Sequence, residues 1–480
     1  MRSAPRRGPG QRPAGGRDDR LARPPRGGRP AIDPAREAAY EAVAAVHRDD
    51  AYANLVLPGI LRENGVSGRD AAFATELTYG TLRQTGTLDA IVAAAADRAM
   101  ERIDPPVRDA LRIGAYQLLH MRVGAHAAVA TTVDLVRSLV PGAAGFSNAV
   151  LRRVAESDRA AWIERLAPAD PIGRAALAHA HPAWIVNAFA DALGSLDEAE
   201  LALDADNLPP PVHLCARPGL ISGADLAASL RGATVGRYSP FTVVLSGGGD
   251  PGGIAAVRDG RAHVQDEGSQ LVAAVLADAE LTGPDERWLD LCAGPGGKAG
   301  LLGALAAERD AHVTAVEVAH HRAALVARAT ERLPVYTINA DGRDVGKDQD
   351  LPEGGFDRVL VDAPCTGLGA LRRRPEARWR RQPSDLPPLT RLQRELLQSA
   401  FRAVRPGGVV AYVTCSPHQA ETEVSVTEAA RRASIDMELM DARPHLPASL
   451  PEVGTGPTVQ LWPHRHGTDA MFVALLKRAS

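Results

Sequence analysis

The sequence predicts a multidomain chain: an all-α bundle at the N-terminus, a small α+β domain after it, and a doubly wound α/β domain of the Rossmann type at the C-terminus. Three observations predict this. The 480 residues amount to about three domains at roughly 150 residues each. Apolar residues recur at spacings of three and four up to about residue 155, and then give way to short apolar runs punctuated by Gly and Pro. Near residue 290 a short apolar run meets a glycine-rich turn and then a helical pattern, the opening unit of a nucleotide-binding fold. With 45% apolar and 24% charged residues the chain has the balance of a globular protein, which excludes disorder for most of it. No stretch approaches the roughly 18 uninterrupted apolar residues of a membrane helix, and no signal-peptide core is present. A cytoplasmic location is the expectation.

Residues 1–32 are Arg, Pro and Gly almost throughout and predict a disordered tail. The formal charge of −3 conceals it. Residues 1–30 carry nine Arg against two Asp, a net +7, so residues 31–480 sum to −10. The tail is either a nonspecific phosphate-binding arm or a solvated extension.

Residues 33–160 read as the helical domain. Asp33 followed by Pro34 is an N-cap with proline at the first helical position. The stretch from Ala71 to Leu82 aligns Phe73, Leu77 and Leu82, and Val107 to Met121 aligns Val107, Leu111, Ala115, Leu118 and Leu119. Ala127 to Val140 and Gly145 to Val154 continue the pattern. Residues 165–275 read as the small α+β domain, with strand-like Pro211 to Ala216 and Phe241 to Leu245 around a helical Asp225 to Leu230.

Residues 276–480 hold the chemistry. Trp288 to Cys292 is a short buried strand, Ala293-Gly294-Pro295-Gly296-Gly297-Lys298 a turn, and Ala299 to Glu308 a helix. Small residues there let the backbone approach a ligand at a helix N-terminus. Strand His312 to Val318 carries Glu317, 20 positions after Gly297, where such folds bond a ribose. Further strands lead to Asp341, Asp362 and Cys415. Strands alternating with helices predict a largely parallel sheet with ligands along the C-terminal strand edge. The turn lacks the G-x-G-x-x-G register of dinucleotide sites, and acidic strand ends suit a cationic cofactor bearing a ribose and an adenine, which favours S-adenosylmethionine over NAD or FAD.

There are four cysteines and no C-x-x-C pair, which argues against a zinc knuckle and against a disulfide-stapled domain. Cys215, and less firmly Cys292, read as apolar filler. Cys365 and Cys415 end two strands that converge on the ligand edge. Two thiols beside a methyl-donor pocket suit methylation of pyrimidine carbon 5, because a thiolate added at carbon 6 makes carbon 5 nucleophilic. A redox disulfide between them is the competing use. Positive charge from Lys298 or nearby arginines would favour the thiolate, and Asp362 could bond the ring nitrogen or exocyclic amine. Lys298 is one of only three lysines among 55 basic residues, and is read as a compact ammonium with a specific task. Leu371 to Arg381 holds six arginines in eleven residues, with Trp379 among them. It reads as a surface for RNA phosphates beside the site.

DAAFATELTYGTLR, LRIGAYQLLHM and FSNAVLRRV resemble the helical RNA-binding domain typified by NusB, and imply RNA contact. LDLCAGPGGK, Glu317, NADGRD, VDAPCTGLGALRRRPEARW, GGVVAYVTCS and WPHRHGTDAMFVALL resemble the signature set of the Sun (Nol, Nop, Sun) family of RNA cytosine-C5 methyltransferases, a class I methyltransferase fold. Together the resemblances cover nearly the whole chain after residue 32. They imply methylation of a cytosine of small-subunit (16S) ribosomal RNA, with S-adenosyl-L-methionine as cofactor. They imply Cys415 as nucleophile, Cys365 as the residue that assists product release, and cofactor contacts from Cys292, Ala293, Gly294, Pro295, Gly296, Gly297, Lys298, Glu317, Asp341 and Asp362. Two departures stand out. Glu421-Thr422-Glu423 replaces an asparagine between two acids, and Gly294 replaces a common alanine, expected to be benign.

The expected partner is ribosomal RNA, free or partly assembled, with no membrane, no metal and a monomeric protein. A target cytosine must leave the stack, so a loop or open strand suits better than a duplex. The alternatives are the same chemistry on transfer RNA, DNA cytosine methylation, disfavoured because that family resembles a single-cysteine design, and a non-catalytic RNA-binding or antitermination protein. The paired cysteines weigh against the last.

Overall fold

The computed structural model describes residues 32–247, 249–347 and 349–480. The arginine-rich tail, apart from Ile32, lies outside the described residues. Residues 34–166 form eight α-helices. The first, Pro34–Arg48, starts as its sequence predicts: the Asp33 carboxylate accepts from the Arg36 amide. Its buried stripe of Ala39, Val43 and Val46 joins Leu77, Leu111, Ile113, Val136 and Leu151 in one core. Helices Gly68–Arg83 and Pro105–His120 approach closely because Gly80 faces the Tyr116 ring, where any Cβ would overlap it.

The stretch read as one small α+β domain has three allegiances in the structure. Helices Pro171–His179, Ala183–Leu193 and Leu196–Asp206 pack with Leu368, Leu371, Trp462 and Ala470 from the C-terminal part. A four-stranded antiparallel sheet follows, of strands β1 (Val212–Ala216), β2 (Thr234–Val235), β3 (Thr242–Leu245) and β4 (Ala262–Val264), in the order β2-β3-β1-β4. Helix Glu267–Asp278 then buries Leu271, Val275 and Leu276 in the core of the large sheet.

That sheet has eight strands: β5 (Arg287–Asp290), β6 (His312–Val316), β7 (Val335–Ile338), β8 (Phe356–Asp362), β9 (Val404–Thr414), β10 (Met437–Met440), β11 (Val459–Gln460) and β12 (Phe472–Arg478). The order is β10-β12-β9-β8-β5-β6-β7, with β11 paired to β12. Strands β9, β8, β5, β6 and β7 run parallel, while β12 is antiparallel to β9, β10 and β11. The central strand β8 is covered on both faces and buried from Phe356 to Val361, whereas the edge strand β7 has no buried residue. Strand order reverses at β5, whose neighbours β6 and β8 lead away in opposite directions. A crevice outside the carboxyl ends of such strands is where open α/β sheets bind ligands. No helix among the described residues is long and apolar enough to cross a membrane.

Candidate active site

The strand ends converge as expected. After β5 the chain turns through residues 291–296 into helix Gly297–Ala307. The Asp290 carboxylate accepts from the Cys292 amide at 3.1 Å, and the Ala293 amide reaches Val316 of β6 at 2.9 Å, which fastens the turn to two strands. Gly296 sits at φ +107°, and a Cβ there would also press on Ala329. Glu317, just past β6, accepts from the Gly294 amide at 3.1 Å and from the Ala319 amide at 2.9 Å. Arg322 stands 3.5 Å from the same carboxylate and donates to the Gly294 carbonyl. A methyl group at position 294 would meet only the ends of the Glu317 and Arg322 side chains.

Past β7, Asp341 is gripped by Arg343 at 2.7 Å, and this hydrogen bond holds its carboxyl below the usual range. At the end of β8, Asp362 accepts from the Lys298 ammonium at 2.8 Å. Burial opposes the charge on Lys298, yet the adjacent carboxylate holds its pKa above the ordinary lysine value. The Cys365 and Cys415 sulfurs lie 3.4 Å apart. The hydrogen bond from the Cys365 thiol pulls Cys415 below an ordinary thiol, and Lys298 adds to this against burial. The same hydrogen bond, with burial behind it, pushes Cys365 well up. Of the two thiols, Cys415 is the one that ionises more readily.

Of the other two cysteines, Cys215 is buried in the hydrophobic core and Cys292 lines the cavity. Burial pushes Cys215 up to about 12, and burial together with the Asp290 carboxyl puts Cys292 well above its usual value. Cys292, Gly294, Glu317, Asp341, Asp362, Cys365 and Cys415 all line one cavity of about 570 Å³. Ala293, Gly296 and Gly297 shape the turn without lining it, Lys298 reaches the site through Asp362, and Pro295 faces a second cleft on the other side of the turn.

Asp290 and Tyr52 escaped the sequence reading, and Glu421 was noted there only as part of a departure. Asp290 is fully buried, one of its carboxylate oxygens has no hydrogen-bond partner, and burial followed by the Asp362 charge pushes its pKa up to about 7. A lone carboxylate inside an apolar strand run was the available signal. Glu421, fully buried, accepts from the Thr366 amide at 2.8 Å, from the Thr366 hydroxyl and from Gln393 at 3.1 Å. Thr366 also lies 3.3 Å from the Ser416 hydroxyl, so Glu421 ties the Cys365 turn to the Cys415 turn. The departure noted at residues 421–423 therefore keeps the acid that organises the site. Tyr52, from the helical domain, lines the same cavity.

The arginine run requires a correction. Arg378 is fully buried and donates to the Arg83 and Asp206 carbonyls and to Asn207, each within 2.8 Å. Arg372 and Arg373 pair with Asp266 and Asp469. Arg380 donates to the Val46 and Ala51 carbonyls, and Arg381 to the Thr366 carbonyl at 3.1 Å. Trp379 stacks its edge where a Cβ on Gly86 would stand. Most of the run is an internal bolt between domains. Only Arg374, Arg380 and Arg381 border the cavity.

Residues 279–477 match the family model described as 16S rRNA methyltransferase RsmB/F, and residues 33–156 match that of the NusB family. A Mycobacterium tuberculosis protein named as a methyltransferase is 58% identical over 452 residues, covering 93% of this chain and 97% of the relative. The ribosomal RNA small subunit methyltransferase B of Pseudomonas putida is 35% identical over 426 residues, covering 85% of this chain and 93% of that one. Among solved structures, PH0851 matches with a TM-score of 0.78 at 23% identity over 93% of this chain and 99% of its own. NSun6 from Pyrococcus horikoshii matches with a TM-score of 0.51 at 18% identity, covering 62% and 98%. These structural likenesses speak for the fold, and the relatives that span both halves of the chain speak for the family. With a helical NusB-like front, a class I methyltransferase sheet and relatives matched along nearly their whole length, the chain belongs to the RsmB/F family of 16S rRNA methyltransferases.

Proposed function

We propose that the protein methylates carbon 5 of a cytosine in small-subunit ribosomal RNA, with S-adenosyl-L-methionine as donor. The observation that carries this is the 3.4 Å cysteine pair at the ends of β8 and β9, beside Lys298 and Asp362. The cofactor fits the residues present: a glycine-rich turn with Gly296 at φ +107°, carboxylates on successive strand ends, and a buried Asp290 oxygen without a partner. Glu317 and Asp341 would hold the ribose and adenine side, and residues 292–298 would hold the rest. When bound, the donor supplies a methyl group on a sulfonium, electrophilic enough to alkylate an activated carbon.

The chain supplies the activation. The Cys415 thiolate adds to carbon 6 of the ring, its electron pair forming the sulfur–carbon bond while the displaced π electrons move toward the ring nitrogen and carbon 5. Asp362 accepts from the exocyclic amine, and the Lys298 ammonium paired with it supplies the positive charge that offsets the electron density arriving at the ring nitrogen. Carbon 5 takes the methyl group, and its remaining proton must then leave to a base. Loss of that proton returns the electron pair to the ring and expels the Cys415 thiolate. Cys365, protonated beside it, is placed to assist release.

The test is transfer of labelled methyl to naked 16S rRNA, with transfer RNA in parallel, and mapping of 5-methylcytosine in cells with and without the gene. Cys415→Ala should abolish both transfer and covalent capture of RNA. Cys365→Ala should accumulate a protein–RNA adduct. Adduct formation by Cys415→Ala would reverse the two roles, and RNA binding by the wild type without transfer to any RNA would overturn catalysis.

A further inference from the structure

We infer that Tyr52 of the helical domain is a positioning residue of the active site: it sets the Arg374 guanidinium at the pocket mouth to take a phosphate of the RNA strand flanking the target base. The inference rests on the RNA methyltransferase reading above and deepens it. Tyr52 lines the same cavity as Cys365 and Cys415 although it lies more than 300 positions away in the chain. Both of its neighbours are fastened to the catalytic part. The Ala51 carbonyl accepts from Arg380, and the Ala53 amide donates to Glu376 at 3.4 Å. The ring is thereby fixed, and two guanidiniums lie over it, Arg374 at 5.4 Å and Arg380 at 5.2 Å from its centroid.

The two arginines are not equivalent. Arg380 spends its donors on the Val46 and Ala51 carbonyls. Arg374 is exposed, and among the described residues no carboxylate pairs with it and no hydrogen bond takes its side-chain donors. A cation held by an aromatic face and by the charge of the buried Glu376 carboxyl, with no hydrogen bond to either, keeps its donors free for an anion. Behind it the wall carboxylates Glu317, Asp341 and Asp362 are paired with Arg322, Arg343 and Lys298, so those cations are already committed. A polyanion approaching the pocket needs a cation still free to take its backbone. Tyr52 itself is 40% exposed, so its ring serves the rim and not the helical core.

The test uses the full chain and compares KM for RNA, kcat, donor affinity and the salt dependence of RNA binding. Tyr52→Ala and Arg374→Gln should each raise KM for RNA by about ten-fold, with kcat within about two-fold, unchanged donor affinity, and a salt slope reduced by about one, the effect of losing one phosphate contact. The double variant should be no worse than Arg374→Gln, because tyrosine acts through the arginine. Tyr52→Phe, which keeps the ring face, should restore the wild-type KM. Unchanged KM and salt slope in both single variants, with a wild type that methylates RNA, would overturn this inference alone; so would additive effects. A wild type that transfers no methyl group to RNA would instead overturn the function on which it rests.

Discussion

Cys365 and Cys415 share one hydrogen bond and so cannot titrate alike. That hydrogen bond lowers the pKa of Cys415 and raises that of Cys365. For a nucleophile the sign is simple: a lowered pKa brings thiolate reactivity to lower pH. Alkylation of Cys415 by iodoacetamide should therefore show a midpoint below that of a free cysteine. In Cys365→Ala, which removes the donor, the midpoint should move up, and Lys298→Met should move it the same way. A midpoint unmoved by Cys365→Ala would separate the two thiols electrostatically. Asp290 illustrates the opposite sign. Its folded pKa of about 7 exceeds that of an unfolded carboxyl, so it destabilises the fold increasingly as pH rises from about 4 to about 7, and by a constant amount above. Asp290→Asn should raise Tm at pH 8 and leave it nearly unchanged at pH 4, with a gain of at most about 4 kcal/mol. Donor affinity should fall in the same variant if the unpartnered oxygen binds cofactor. Equal Tm changes at both pH values would remove the titration from the explanation.

Elements were legible where their signals are local. The cap at Asp33, the helices around Leu77 and Leu111, and the strand, turn and helix around Gly296 all carry their cause within a few residues of sequence. The functional strand ends were legible for the same reason, since parallel topology alone brings Glu317, Asp341, Asp362 and Cys415 to one edge. The run from Arg372 to Arg381 was misjudged because its partners are remote. The carbonyls of Val46, Arg83 and Asp206 that accept from it belong to other domains, and no sequence period reports a backbone acceptor. Tyr52 was missed for the same cause. Arg378 gives this element a measurable consequence. Its removal leaves Asn207 and two carbonyls without their donor in a site closed to water, and takes away the charge beside the buried Asp206 carboxyl, which burial already pushes up to about 7. Arg378→Met should cost about 3–5 kcal/mol, the range for breaking a buried charged network. Denaturant unfolding would read this directly, and a loss below about 1 kcal/mol would mean that the junction does not depend on this bolt.

At the scale of the whole molecule, charge is distributed against what an RNA enzyme needs. Residues 31–480 sum to −10, and several of the arginines nearest the active site are committed to carbonyls and carboxylates of their own chain. Arg374 offers one free cation at the pocket mouth, which is little against a polyanion of ribosomal length. The sequence places a compensating +7 in residues 1–30. That segment holds nine arginines against only Asp18 and Asp19, the composition of a segment that displaces counterions from RNA. Deleting residues 1–30 should therefore weaken RNA binding at low salt and make its dependence on salt shallower, by up to several units of slope at about 0.7–0.9 per phosphate neutralised. The effect should appear in Kd and KM for RNA and leave kcat, donor affinity and the Cys415 alkylation profile unchanged, because none of the site residues lies in that segment. If the truncated chain binds RNA with the same affinity and slope, the segment is a solvated extension, and the attraction for RNA must come from the cations the fold leaves free, with Arg374 the one placed at the site.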